Sequence, residues 1–244
     1  MTTNVLIIGA GSDIARSIAE KYASLGFDIM LTARRPDELE RVAKDLSVRY
    51  EIKAKTYELD VLNYSKHESF FESLERMPEI IVCAAGYLGS QEKAEKDPKE
   101  ARLIMETNYN GCAALLDIAA RHLEEKGSGT IIGISSVAGD RGRPSNYFYG
   151  SSKAAFSEYL AGLRARLFKK GVHVLTVKPG FVQTKMTEDM NLPPLLTASP
   201  GKVANAVINS ARKKRNTIYV KWFWRYIMII IFLIPEPVFK RLKL

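Results

Sequence analysis

The chain has 244 residues, 46% of them hydrophobic, which suits one large core better than two small ones. Its net charge of +9 lies entirely in residues 201–244, where ten Lys/Arg face a single acid, Glu236; the first 200 residues balance, which argues against a basic nucleic-acid-binding face on the folded body. Cys83 and Cys112 provide no disulfide framework, and His67, His122 and His173 are scattered without metal-ligand spacing, so no metal site is expected.

In chain order, Met1–Asn4 leads directly into Val5–Ile8, so no secretory leader is expected, and with two reduced thiols the reading is cytoplasmic. Short apolar, β-branched runs predict strands over 4–8, 28–32, 53–59, 79–83, 129–134, 172–177 and 217–220. Longer amphipathic stretches predict helices over 12–25, 36–49, 65–76, 98–125, 147–170 and 201–213. The alternation implies an α/β fold with a single doubly wound parallel sheet spanning 1–220. Residues 185–200 have no clear period and are read as a lid within that domain.

Between the first strand and first helix stands Gly9-Ala10-Gly11-Ser12-Asp13-Ile14-Ala15. Glycines there let the backbone turn tightly toward a pyrophosphate held on the helix N-terminus, the arrangement of a dinucleotide site. Asp13 replaces a glycine of the full fingerprint and is expected to turn away from phosphate and cap the helix. The second strand ends in Leu31-Thr32-Ala33-Arg34-Arg35, where an NAD-selective protein would carry an acid. Two guanidiniums suit a ribose 2′-phosphate, so the cofactor is read as NADP(H).

Ser136, Tyr149 and Lys153 follow as S-x12-Y-x3-K. A carbonyl that accepts hydride needs a proton on its oxygen, which the phenol of Tyr149 can supply. Lys153 lies four residues on, sharing one helical face, and its ammonium favours the phenolate. Ser136 would hydrogen-bond and orient the carbonyl oxygen.

These markers, in this order, resemble the short-chain dehydrogenase/reductase family over Val5 to about Tyr219, which implies a Rossmann-type fold. The resemblance implies cofactor contacts from Gly9, Gly11, Ser12, Asp13, Ile14, Arg34 and Arg35, with Asp60 and Val61 at the adenine. Cys83-Ala84-Ala85-Gly86 stands where the family has Asn-Asn-Ala-Gly; it keeps Ala85 and Gly86 and loses both asparagines. Asn108 matches a helix asparagine that supports a water relay to the lysine, completing a catalytic set with Ser136, Tyr149 and Lys153. The family gives Lys153 a second role, on the nicotinamide ribose hydroxyls. Pro179 and Gly180 match a turn beside the nicotinamide, with Val182 and Thr184 at its carboxamide. Dimers or tetramers are common in the family.

The segment 221–244 holds both tryptophans, Trp222 and Trp224, an apolar run from Tyr226 to Pro235 and flanking Lys/Arg. It is too short to span a bilayer and apolar nearly all round, so it is expected to contact a membrane surface or another subunit. A greasy, basic tail suggests a lipid-linked ketone as substrate. Within the family, the glycine turn, the run Val177–Thr187 and this tail resemble the reductases of polyprenylphosphoryl keto-pentofuranose, which work with a flavoprotein oxidase partner. The alternative is a reductase of a small ketone, oxoacyl or steroid-like substrate whose tail packs between subunits.

Overall fold

The computed structural model describes residues 3–188 and 190–242; Asp189 of the predicted lid and Lys243 and Leu244 of the tail lie outside them. Among these residues seven strands form one parallel sheet: β1 (Asn4–Ile8), β2 (Asp28–Ala33), β3 (Ala54–Glu58), β4 (Ile80–Cys83), β5 (Gly129–Ile134), β6 (Val172–Pro179) and β7 (Thr217–Val220), in the order β3-β2-β1-β4-β5-β6-β7. The chain winds outward from β1 to β3, then returns to β4 on the other side. Ile8 therefore pairs with both Thr32 and Cys83, and the crevice beyond it is the topological switch point.

The inner strands β1, β2, β4, β5 and β6 are buried on both faces, which is why they read as nearly continuous apolar runs; the edge strand β3 (Ala54-Lys55-Thr56-Tyr57-Glu58) has no buried residue. Val5, Ile7, Ile29 and Leu31 face the helices α1 (Asp13–Ala23), α2 (Glu40–Tyr50) and α8 (Pro200–Arg212). Leu6, Ile8, Met30 and Ile81 face α3 (His67–Glu72), α6 (Gly111–Lys126) and α7 (Tyr147–Leu167). Each helix closes its sheet face with a stripe such as Ile18, Ala19 and Tyr22 of α1.

The helix predicted over 98–125 is divided. After a short α4 (Gln91–Ala94), α5 (Pro98–Met105) runs through one π-turn at Glu106–Asn110 into α6. The segment 221–244 is neither an extension nor a separate body over its described part. It folds as α9 (Trp224–Leu233) and α10 (Glu236–Phe239), with Trp224, Met228 and Phe239 buried. Arg141 fastens the end of α9: its guanidinium donates to the carbonyls of Phe232 and Ile234 at 3.1 and 2.8 Å and to that of Ile231, pairs with Glu236 at 3.0 Å, and lies 3.6 Å over the Phe239 ring. Those carbonyls are the acceptors a helix C-terminus leaves open.

Candidate active site

The carboxyl edge of the sheet gathers the residues singled out in the sequence. Gly9 ends β1 with φ +78°, and a Cβ there would sit 2.7 Å from the Ala85 backbone beyond β4, so the turn closes only around glycine. Ser12 caps α1, its hydroxyl accepting from the Ala15 amide at 3.2 Å. Asp13 is thus not the cap: it stands in the first helical turn and accepts the Lys185 amide at 2.8 Å. With a hydroxyl already placed as cap, the carboxylate is free to reach across and tie the glycine turn to the loop after β6.

Gly11, Ser12, Asp13, Ile14, Ala84, Ala85, Gly86, Ser136, Tyr149, Lys153, Pro179, Gly180, Val182 and Thr184 line one open cleft of about 290 Å³. Gly9, Arg34, Arg35, Asp60, Val61 and Asn108 do not line it. Arg34 and Arg35 are exposed just beyond β2, with Arg35 paired to Glu38 at 2.9 Å. Asp60 follows β3 and accepts the Leu62 amide at 3.0 Å, and Val61 is buried beside it. Asn108 is fully buried on the π-turn. Its amide nitrogen donates to the carbonyls of Tyr87 and Ile104 at 2.6 and 2.8 Å, and its oxygen accepts the Tyr87 amide at 3.2 Å. That oxygen and the Lys153 ammonium flank Gly86, 3.0 and 3.3 Å from where a Cβ would stand.

Tyr149 and Lys153 share one face of α7, as their spacing requires. The Lys153 ammonium is buried, lies 5.7 Å from the Tyr149 ring centroid and donates to the Ile134 carbonyl at 3.1 Å. Its own carbonyl accepts from the hydroxyls of Ser135 and Ser157, both at 2.9 Å, which joins α7 to the end of β5. Ser136 is extended (φ −163°), and its oxygen accepts the Ala138 amide at 3.1 Å.

The predicted lid is a loop zipped at its base: the Gln183 amide donates to the Ala198 carbonyl at 3.0 Å and the Ala198 amide to that of Phe181 at 2.9 Å. Its Met186 and Met190 line the cleft. Behind the Pro179–Phe181 turn stands the tail. Trp224 meets Phe181 edge to face at 5.4 Å, and its indole donates to the Leu196 carbonyl at 3.1 Å. Arg143 and Asn146, which no motif in the sequence marks, also line the cleft. The available signal was the run Gly139-Asp140-Arg141-Gly142-Arg143-Pro144-Ser145-Asn146, polar and turn-rich between Ser136 and Tyr149.

Comparison with known proteins agrees with this fold. The family model for short chain dehydrogenase matches residues 3–194. The chain is 34% identical over 241 residues to an uncharacterised oxidoreductase of Mycobacterium tuberculosis, covering 98% of this chain and 96% of that one. Among solved structures it is similar to a short-chain dehydrogenase from Sphingobium yanoikuyae in complex with NADPH (22% identity, TM-score 0.83, 96% of this chain and 97% of that one). It is also similar to a short chain dehydrogenase from Burkholderia cenocepacia in complex with NADP (21% identity, TM-score 0.84, 98% and 97% covered). The chain is an oxidoreductase belonging to the short-chain dehydrogenase family.

Proposed function

We propose that the protein is an NADPH-dependent carbonyl reductase acting on the ketone of a polyprenyl-phosphate-linked sugar at a membrane surface. The observation that carries the reading is one cleft that joins a glycine turn at a helix N-terminus to Ser136, Tyr149 and Lys153, and continues past Phe181, Met186 and Met190.

The residues present suit a dinucleotide. The free amides at the start of α1 suit a pyrophosphate, with Gly9, Gly11, Ser12, Asp13 and Ile14 around it. Asp60 and Val61 would meet the adenine, and Ala84, Ala85 and Gly86 would border the ribose side. Pro179, Gly180, Val182 and Thr184 would hold the nicotinamide. Arg34 and Arg35 support NADP over NAD: they stand exposed at the end of β2, and the Arg35–Glu38 pair is an exposed one, worth about 0–1 kcal/mol and easily exchanged for a phosphate. The relatives solved with NADPH and NADP bound support the same choice.

Bound NADPH supplies the hydride. Tyr149 gives its phenolic proton to the carbonyl oxygen, Ser136 holds that oxygen, and Lys153 favours the phenolate left behind. Asn108 fixes the Tyr87 backbone beside Gly86, and with water and Lys153 would return the proton. A lipid-linked substrate is supported by the apolar far end of the cleft and by the tail packed behind it. A flavoprotein oxidase would make the ketone. The outer face of α9, apolar and flanked by Lys221, Arg225, Lys240 and Arg241, would rest on the inner face of an anionic membrane.

The test is NADPH oxidation across a panel of ketones that includes a polyprenyl-phosphate-linked keto-sugar. Tyr149→Phe is expected to lower kcat by about 10²–10⁴-fold. Arg34→Ala with Arg35→Ala should erase the preference for NADPH over NADH. An undiminished Tyr149→Phe rate would overturn catalysis at this site, and an intact preference would overturn the cofactor assignment.

A further inference from the structure

Arg143 enters the cleft from the segment between β5 and α7. Its Nε and Nη2 are buried and find no hydrogen-bond partner among the described residues. These two nitrogens form one edge of the guanidinium, with their N–H bonds directed to the same side. Such an edge matches two oxygens of a single oxyanion. Leaving buried donors unpaired is costly, and a guanidinium pays it twice here. Three residues on, the Asn146 side-chain oxygen is also buried without a partner among the described residues, and it lines the same cleft.

The nearby carboxylate does not answer Arg143. Asp140 is committed to Lys178 at 2.6 Å and to the Tyr219 hydroxyl at 2.9 Å. Burial accordingly pushes the Arg143 pKa down from the ordinary arginine value, with Asp140 opposing. The segment itself is fixed: two residues before, Arg141 is locked onto the end of α9, and Pro144 follows immediately. Both nitrogens are closed to solvent, so a ligand must uncover this edge as it binds.

We propose that Arg143 is a specificity-determining residue that receives the phosphate of the substrate on its Nε/Nη2 edge, while Asn146 accepts a hydroxyl beside it. The inference rests on the carbonyl-reductase reading for what stands at Tyr149, but the fork itself can be probed without turnover.

With NADPH saturating, so that the cofactor's own phosphate sites are filled, geranyl phosphate, geraniol and inorganic phosphate are titrated calorimetrically. Geranyl phosphate should bind the wild type, and Arg143→Gln should weaken it at least ~10-fold, the loss expected for a charge-assisted fork. Arg143→Lys, which keeps the charge without the fork, should recover only part, and geraniol should bind weakly and equally to all three proteins. Inorganic phosphate held as tightly as geranyl phosphate, with the same dependence on Arg143, supports the fork and places the lipid outside it. Absence of phosphate binding in the wild type, affinity unchanged in Arg143→Gln, or an equal loss of NADPH affinity each overturns the proposal. Failure of the reductase reading registers separately, as an undiminished Tyr149→Phe rate.

Discussion

Glu100 does not line the cleft of Tyr149, yet it holds the strand-end segment that does. Its buried carboxylate accepts from the Tyr87 hydroxyl at 2.9 Å and the Ser90 amide at 3.2 Å, and pairs with Lys93 at 3.1 Å. The Tyr87 hydroxyl first, then the Lys93 ammonium and the Ser90 amide, hold its carboxyl below the usual carboxylate range, against the opposing effect of burial. A carboxyl lowered on folding contributes its stability above its unfolded pKa, about 4.3, and loses it as pH falls through the folded value. The urea midpoint of the wild type should therefore drop as pH falls below about 4.3, and Glu100→Gln should flatten that drop while lowering stability at pH 7. A pH profile unchanged in Glu100→Gln would place the acid sensitivity elsewhere. At this scale the sequence was legible where function imposes spacing, as for Tyr149 and Lys153 on one turn of α7. It was not legible for Asp13, because the Lys185 amide that claims its carboxylate lies 172 residues away. Arg143 and Asn146 escaped because a missing partner can be seen only once the chain has folded around it.

Helices α9 and α10 show what periodicity leaves out. The tail reads as apolar all round, yet only one side of it is packed. Trp224, Ile227, Met228 and Ile231 pack on Val137, Phe181, Leu196 and Tyr219, while Trp222, Tyr226, Ile230, Phe232 and Leu233 remain exposed. Gly180 is where the tail touches the cleft wall: a Cβ there would come within 2.0 Å of the Trp224 indole nitrogen. Gly180→Ala must therefore push α9 outward or strain the turn. Overpacking of this kind costs about 1–3 kcal/mol, and a lowered Tm together with a reduced kcat is the expected result. If Tm and kcat both match wild type, α9 does not brace the site. The inner strands were legible because burial on both faces leaves nearly unbroken apolar runs. The short α4 and the division of the tail at Pro235 carry too few residues to show a period.

For the whole molecule, the exposed face of α9 is the surface that most needs an explanation. Trp222, just before α9, and Ile230, Phe232 and Leu233 on it stand 73%, 64%, 70% and 71% exposed. No helix among the described residues is long and apolar enough to cross a membrane. Co-sedimentation with vesicles containing anionic lipid should be strong at low salt and weaken as salt rises, each basic residue near the surface contributing about 1 kcal/mol. Ile230→Ser with Phe232→Ser should abolish it while Trp224 and Met228 keep the fold closed, which removal of the tail would not. Absence of sedimentation, with a wild-type dimer that the same substitutions dissociate, would assign this face to a second copy of the chain. The alternation of strands and helices disclosed the sheet and its switch point, but net charge disclosed only that the tail differs, not which of its faces is turned to solvent.

The π-turn at Glu106–Asn110 settles a matter of phase. Ile104, Asn108, Cys112, Leu116 and Ala120 are all buried at intervals of four. In an α-helix each such step overshoots a full turn by about 40°, so the row would wind off its face within a few turns. The wider π-turn takes back part of that drift at the point where Asn108 must face Gly86. The helix thus runs like a gear train with one oversized tooth. It keeps Ile104 meshed with the small cluster under Tyr149 and Leu116 meshed with the main core. Taking one residue out of this turn would let the helix wind true and move the asparagine off its mark.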